Sequence, residues 1–212
     1  MQINKSYYTR LSEYVIVSPE WKNRWARIIS GVLSPLTIAI AAVVIAAYGL
    51  NDESALTWIA LYIALTVLPP TLYIIYLVRK GIVSDFHLNI REERTQPLIL
   101  MTANTLLAFM VMFLIGAPTL ILVVIAVAII QLLCILLITF KWKISGHSTA
   151  IAGLVVLAVA LFGESWLPLV LLIPLVAWSR IRLKRHTLAQ TIAGAFLGIF
   201  TVTVLLYFTN FL

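Results

Sequence analysis

Long apolar runs separated by short polar breaks dominate this chain, and this pattern predicts membrane-spanning helices. A crossing needs about 20 apolar residues, and several of the runs reach that length. The sequence therefore predicts an all-α fold, a polytopic bundle of about six to seven transmembrane helices. The apolar stretches extend over roughly 29–49, 55–78, 98–115, 118–140, 148–163, 166–179 and 186–211.

The polar segment before the first stretch, residues 1–28, is basic and aromatic. We expect it to lie at the membrane interface and to lead into the first span, without a removable signal peptide. Residues 29–212 are predicted to form a single transmembrane domain, because no soluble module fits in the loops between the spans.

The fifth and sixth stretches are short enough to be read as one long helix. Two separate crossings are favoured, because only then do His147 and His186 return to the same face of the membrane. With seven crossings, that face holds the N-terminus and the polar segments near 79–97, 141–147 and 179–186.

The chain is 62% hydrophobic and 11% charged, which is far more apolar than a soluble domain. Its net charge of +7 is therefore typical of contact with a membrane surface rather than with nucleic acid. All 15 lysines and arginines lie on the face just described, whereas the opposite face carries Asp52, Glu53 and Glu164. By the positive-inside rule, we expect a plasma (inner) membrane protein whose polar segments face the cytoplasm.

Polar groups at membrane depth are costly and indicate function. In the last polar segment, five residues separate Ser179-Arg180 from His186, and three more precede Gln190. His186 and Gln190 share a helix face, so the Gln190 amide oxygen can hold one ring nitrogen of a nucleophilic histidine. Arg180 presents a planar fork for phosphate oxygens. The neighbouring cations are more simply explained as a basic loop against anionic headgroups.

Ser145-Gly146-His147 opens another helix, where unpaired N–H groups and the helix dipole favour an anion. Gly146 allows a phosphate to approach the backbone, and His147 is a candidate general acid. The alternative is an N-cap followed by a packed histidine. The segment 79–97 adds His87 and Arg94 in a mixed-charge loop. No carboxylate or Cys/His cluster indicates a metal, so no metal or other cofactor is expected.

Three other features predict packing rather than chemistry. Gly194 and Gly198 are spaced for close helix packing within the chain, with dimerisation as the weaker alternative. Pro69-Pro70 should kink the second span. Asn104 and Gln131 are expected to make interhelical hydrogen bonds.

In their order and spacing, the polar motifs resemble the type 2 phosphatidic acid phosphatase superfamily. Its pattern is Lys-x6-Arg-Pro, then Pro-Ser-Gly-His, then Ser-Arg-x5-His-x3-Asp, and the resemblance covers roughly 85–200. It implies that His186 is the nucleophile that becomes phosphohistidine and that His147 is the general acid. It also implies a phosphate site made of Ser145, Gly146, Arg180 and Arg94, with His87 in place of the lysine.

The chain departs from the family pattern at several positions. Gln190 replaces the aspartate that orients the nucleophile, which removes a negative charge behind His186. His87 for lysine loses a permanent charge. Thr95 and Ile144 replace the two motif prolines. These changes leave room for a slow enzyme or for a lost activity.

The leading hypothesis is a metal-independent phosphatase for a lipid phosphate or diphosphate, such as phosphatidic acid, phosphatidylglycerol phosphate or a prenyl diphosphate. Its partners would be this substrate and the membrane lipids, with a possible homodimer. The alternative is a catalytically weak or silent relative that binds phospholipid or scaffolds a membrane complex. A transporter has only Asn104 and Gln131 as further support.

Overall fold

A computed structural model describes residues 23–50, 53–86, 88 and 90–211. Within these residues the chain is helical and contains no strand, which confirms the predicted all-α bundle. His87 and residues 1–22 lie outside the described residues, so the predictions for them stay predictions. The helices are α1 (Arg24–Val32), α2 (Pro35–Leu50), α3 (Ala55–Arg79), α4 (Thr95–Leu114), α5 (Thr119–Thr139), α6 (Gly146–Phe162), α7 (Leu172–Arg182) and α8 (Leu188–Phe208).

Most of these helices are long and apolar enough to cross a membrane. They are α3, α4, α5, α8 and the unit Glu164–Arg182, in which a 3-10 segment precedes α7. The bent pair of α1 and α2 forms a sixth candidate. Helix α6 has 17 residues and is about 25 Å long, slightly less than the hydrocarbon core. The chain is thus a polytopic membrane protein, and the count of seven crossings stays a prediction.

The first apolar stretch does not form one straight helix. Helical structure already begins at Arg24, and the chain bends by 42° between α1 and α2. Pro35 is the first residue of α2, a position at which the backbone N–H has no helical partner. A proline also disfavours helical geometry in the residue before it, so the helix breaks there. Helical structure therefore begins before the apolar stretch that starts near residue 29, and α1 turns Ala26 and Ser30 toward the bundle.

The proline pair in α3 changes the helix locally without ending it. A π-helical segment, Ile63–Val67, lies directly before the pair. Pro69 cannot donate a hydrogen bond to the carbonyl of Leu65, which would be its α-helical partner. That carbonyl instead accepts from Asn104 Nδ2 of α4 at 2.9 Å. A neighbouring helix therefore compensates for the donor that proline lacks.

Gln131 makes the second predicted interhelical hydrogen bond. Its Nε2 donates to Thr201 Oγ1 of α8 at 2.9 Å. Both Asn104 and Gln131 are therefore accounted for by helix packing, which removes the additional support for a transporter.

Helices α6 and α8 run parallel in backbone contact at two glycines. A Cβ on Gly194 would lie 2.5 Å from the carbonyl oxygen of Ser145. A Cβ on Gly198 would overlap the carbonyl oxygen of Thr149. Only hydrogen fits at either position, so both glycines serve packing within the chain, as predicted. This contact brings the first turns of α6 and α8 side by side.

We predict that Gly198→Ala destabilises the protein. The added methyl group would meet backbone rather than a movable side chain, and overpacking of this kind typically costs about 1–3 kcal/mol. Thermal unfolding in detergent should show a clear decrease in Tm. Gly31→Ala is the matched control, because a Cβ at this exposed helical position meets nothing within 4 Å. An equal Tm for the two variants would contradict the close packing.

Candidate active site

Hydrogen bonds join the three polar segments at one end of the bundle. Arg94 Nη1 donates to the carbonyl of Ile144 at 3.3 Å, which links the loop before α4 to the loop before α6. The N–H of Ser145 donates to the carbonyl of Gln190 at 3.2 Å, which links the start of α6 to α8. Residues that lie far apart in the sequence therefore meet at one place.

The start of α8 fixes the orientation of the His186 ring. Thr187 and Gln190 form a capping box, in which Gln190 Oε1 accepts from the Thr187 N–H at 3.2 Å. The same oxygen lies 3.0 Å from His186 Nδ1. Because a backbone N–H can only donate, the atom between them is the amide oxygen, and Nδ1 must carry the ring proton. The other nitrogen, Nε2, then has a free lone pair.

The surroundings of His186 favour its neutral form. The pKa of His186 is lowered to about 3, mainly by burial and also by the charges of Lys143, Arg180 and Arg94. The hydrogen bond to Gln190 opposes this shift. The ring is therefore neutral at pH 7, with a proton on Nδ1 and none on Nε2, as a nucleophilic histidine must be.

Two of these cations are buried against neutral partners. Arg180 is only 1% exposed, its Nη1 donates to Ser30 Oγ at 2.7 Å, and its Nε has no partner. Arg94 is 7% exposed, and its Nε donates to the carbonyl of Leu88 at 2.6 Å. A buried charge is costly unless an opposite charge compensates it. The carboxylate of Asp85 offsets part of the charge of both side chains. Because further cations surround them, the two side chains still form a site that favours an anion.

Lys143 and Arg185 add to this positive field. Burial lowers the pKa of Lys143 to about 8, and repulsion from Arg94, Arg180 and Arg185 acts in the same direction. Asp85 raises this pKa and so opposes part of the effect. Burial also lowers the pKa of Arg185. An incoming phosphate would relieve the repulsion among these groups.

At the start of α6, Ser145 stabilises the helix and Gly146 lines the cavity. Ser145 is fully buried, and its Oγ caps the helix by accepting from the Ser148 N–H at 3.3 Å. Its hydroxyl is thus committed to the helix cap. Gly146 lines the cavity, and a Cβ there would meet only the end of the Ile135 side chain, at 3.8 Å. The backbone at Gly146 is the part of this motif that a phosphate can approach.

Ser30 was missed in the sequence and contacts two of the predicted site residues. His147 Nε2 lies 3.2 Å from the carbonyl oxygen of Ser30, whose hydroxyl accepts from Arg180. A carbonyl only accepts, so Nε2 of His147 carries a proton. Ser30 is 2% exposed and lies four residues after the buried Ala26. The spacing of the two small residues Ala26 and Ser30 could have indicated a buried helix face. Nothing in it indicates a contact with a residue 150 positions away.

Five of the predicted site residues line one cavity of about 310 Å³, whereas Ser145 and Gln190 lie outside its lining. Arg94, Gly146, His147, Arg180 and His186 surround its polar end. Among the residues that the structure describes, no three His, Cys, Asp or Glu side chains are grouped as metal ligands. The arrangement combines the free Nε2 of His186, the Nε2–H of His147 and buried cations around one open space, which suits the transfer of a phosphoryl group.

Comparison with known proteins gives one match. No curated protein and no solved structure matches the chain. The family model of the PAP2 superfamily matches residues 137–212, which contain the second and third motifs but not Arg94. This match supports a function of the phosphatase type. The resemblance predicted from the motifs is thereby confirmed for this segment: residues 137–212 are similar to the PAP2 superfamily.

Proposed function

We propose that the protein is a membrane-embedded lipid phosphate phosphatase that acts through a phosphohistidine at His186 without a metal ion. The observation that carries this proposal is the position of His186. Its Nε2 is free, and it lies on a cavity shared with Arg94 and Arg180, which are buried against neutral partners. The family match supports the same class of reaction.

In the first step, His186 Nε2 attacks phosphorus and forms a P–N bond, while the bond from phosphorus to the leaving oxygen breaks. This step requires His147 as the imidazolium, with a proton on each ring nitrogen. Its Nε2 proton passes to that oxygen, which leaves as the lipid alcohol or, for a diphosphate, as the lipid monophosphate. Arg94 and Arg180 stabilise the charge on the remaining phosphoryl oxygens. Gln190 holds the proton on Nδ1 of the nucleophile throughout.

In the second step, water attacks the phosphorus and the P–N bond breaks. His147, now neutral, accepts the proton of this water, so both histidines return to their starting states. The products are inorganic phosphate and the dephosphorylated lipid. We expect the active site to face the cytoplasm at the inner membrane, because the basic rim would then follow the positive-inside rule.

A catalytically silent relative that binds phospholipid is the second candidate. Two observations favour it. Gln190 supplies no charge behind His186. Ser30 accepts a hydrogen bond from Arg180 through its hydroxyl and one from His147 through its carbonyl. Such a protein would bind the phosphate headgroup without forming a phosphohistidine.

We expect phosphate release from at least one lipid of a small panel in detergent with EDTA present. The panel comprises phosphatidic acid, phosphatidylglycerol phosphate, farnesyl diphosphate and undecaprenyl diphosphate. His186→Ala should lower release at least about 1000-fold, because the nucleophile is lost. Arg182→Ala, at an exposed position of α7, should leave it unchanged. Absence of release from all four lipids by folded protein would favour the silent relative.

The acid limb of the pH profile should move when a neighbouring cation is removed. Lys143 helps to lower the pKa of His186, so Lys143→Gln raises that pKa toward 6.5. The variant should then lose activity at a higher pH than the wild type, because protonated His186 cannot attack. The measurement is kcat/KM from about pH 2.5 to 8, a range that includes both the lowered pKa of His186 and the ordinary histidine pKa.

Lys141→Gln is the control for this profile, because Lys141 is not among the groups that shift the pKa of His186. The substrate is the same in all three proteins, so its own ionisation cannot produce a difference between them. Identical acid limbs for Lys143→Gln and Lys141→Gln would show that His186 is not the group that titrates.

Gln190→Glu should raise kcat. Glutamate has the length of glutamine, so it can keep the capping box and the hydrogen bond from His186 Nδ1. Its charge would stabilise the cationic ring that forms during attack. We expect kcat for phosphate release at pH 7 to rise about tenfold or more. A rise of one unit in the pKa of His186 corresponds to about a tenfold stabilisation of its cationic form. No release by either protein would again favour the silent relative.

A further inference from the structure

We propose that Glu93 is a positioning residue for Arg94: its carboxylate closes the loop between α3 and α4, and the closed loop holds the Arg94 guanidinium at the polar end of the cavity. This inference deepens the proposed function and rests on it for the chemistry at His186. The position of Arg94 itself depends on contacts within the loop, and phosphate binding reports on it without turnover.

Glu93 joins the two ends of this loop through one carboxylate oxygen. Its Oε2 accepts from the backbone N–H of Ser84 at 2.8 Å and from the Ser84 hydroxyl at 2.8 Å. Hydrogen bonds to a charged acceptor are shorter and stronger than neutral ones. The two residues are nine positions apart in the sequence. Glu93 therefore brings the chain back toward the end of α3 directly before Arg94 and the start of α4.

Leu88, near the middle of the closed loop, has an uncommon backbone conformation. Its φ is +50°, a left-handed value that residues other than glycine rarely adopt. Such a conformation persists only where its surroundings fix it. Leu88 is buried in one apolar cluster with Ile74 and Leu77 of α3, and its N–H donates to the carbonyl of Asp85 at 3.1 Å. The closed loop and this cluster together hold the backbone at Leu88 in place.

Two backbone carbonyls orient the guanidinium of Arg94. The carbonyl of Leu88 accepts from Nε at 2.6 Å, and that of Ile144 accepts from Nη1 at 3.3 Å. A guanidinium is planar and has five N–H donors, so two fixed acceptors set its plane and leave further donors for a phosphate. Leu88 and Arg94 both line the cavity. A shift of the loop would therefore move the guanidinium relative to a bound phosphate.

The negative charge of Glu93 predicts the opposite effect from its hydrogen bonds. A carboxylate near the cavity repels an anion, so its removal should strengthen phosphate binding if charge alone matters. If Glu93 positions Arg94, its removal should weaken phosphate binding. The direction of the change therefore distinguishes a positioning role from a purely electrostatic one.

Glu92 provides a matched control because it carries the same charge one position earlier. It pairs with the adjacent Arg91 at 3.1 Å, and its side chain is 69% exposed. The acceptor for both donors of Ser84 is Glu93. Glu92→Ala therefore removes an equal charge and leaves the loop closed.

Purified protein in detergent should be titrated with inorganic phosphate and followed by phosphorus NMR. Glu93→Ala should weaken phosphate binding about tenfold, since small displacements of a positioned group have effects of at least this order. Glu93→Gln keeps an oxygen that can accept from Ser84 and should stay within about threefold of the wild type. Glu92→Ala should bind phosphate as tightly as the wild type or slightly more tightly.

A double-mutant cycle with Arg94→Ala separates positioning from stability. In that background, phosphate binding depends on Arg180 and Lys143. Any decrease in Tm caused by Glu93→Ala should be equal in the two backgrounds, whereas phosphate binding should weaken only where Arg94 is present. Equal weakening in both backgrounds would overturn the inference.

Unchanged or tighter phosphate binding by Glu93→Ala would also overturn it, as would equal effects of Glu93→Ala and Glu92→Ala. If Glu93→Ala does not fold, Ser84→Ala decides, because it removes only the hydroxyl donor. It should weaken phosphate binding about threefold, and no change would contradict the inference. Phosphate binding that responds to Glu93→Ala, without phosphate release from any lipid, would contradict the proposed function and leave this inference intact.

Discussion

The backbone contact between α6 and α8 is the constraint on which the site depends. Gly194 lies against the carbonyl of Ser145, and Gly198 lies against that of Thr149. The two helices consequently begin side by side, and the N–H of Ser145 reaches the carbonyl of Gln190. Two short motifs separated by more than thirty residues are held in one register by this contact. Any side chain at either glycine would push the helices apart and move His186 relative to His147.

An excess of positive charge connects this packing to the chemistry. Arg94 and Arg180 are buried against carbonyls and a hydroxyl, Lys143 lies close to both, and Asp85 offsets only part of the charge. Burial is the main reason that His186 is neutral, the field of these cations acts in the same direction, and the same field attracts a phosphate. A carboxylate at position 190 would offset part of it. With Gln190 the ring is oriented by a neutral oxygen, so the nucleophile keeps its lone pair but gains no charge to stabilise the cationic ring that forms during attack.

Much of the architecture could be predicted because it depends on local features of the sequence. Apolar length predicts the spans, and the spacing of Gly194 and Gly198 predicts close packing. Other features depend on contacts between distant residues. Ser30 contacts His147 and Arg180 across more than one hundred residues, and no periodicity indicates this. The cap that the Ser145 Oγ forms on α6 is a local feature of the helix start, and the assignment of Ser145 to the phosphate site stays a prediction. The cavity arises only when the helices are packed together.

The most direct test of the account is to trap the covalent intermediate. Protein mixed with an active lipid phosphate and quenched in alkali, where phosphohistidine survives, would be digested and analysed by mass spectrometry. The account predicts one phosphoryl group on the peptide that contains His186, on Nε2, and its absence in His186→Ala. Phosphate release without any phosphorylated His186, or a phosphoryl group on another residue, would contradict it.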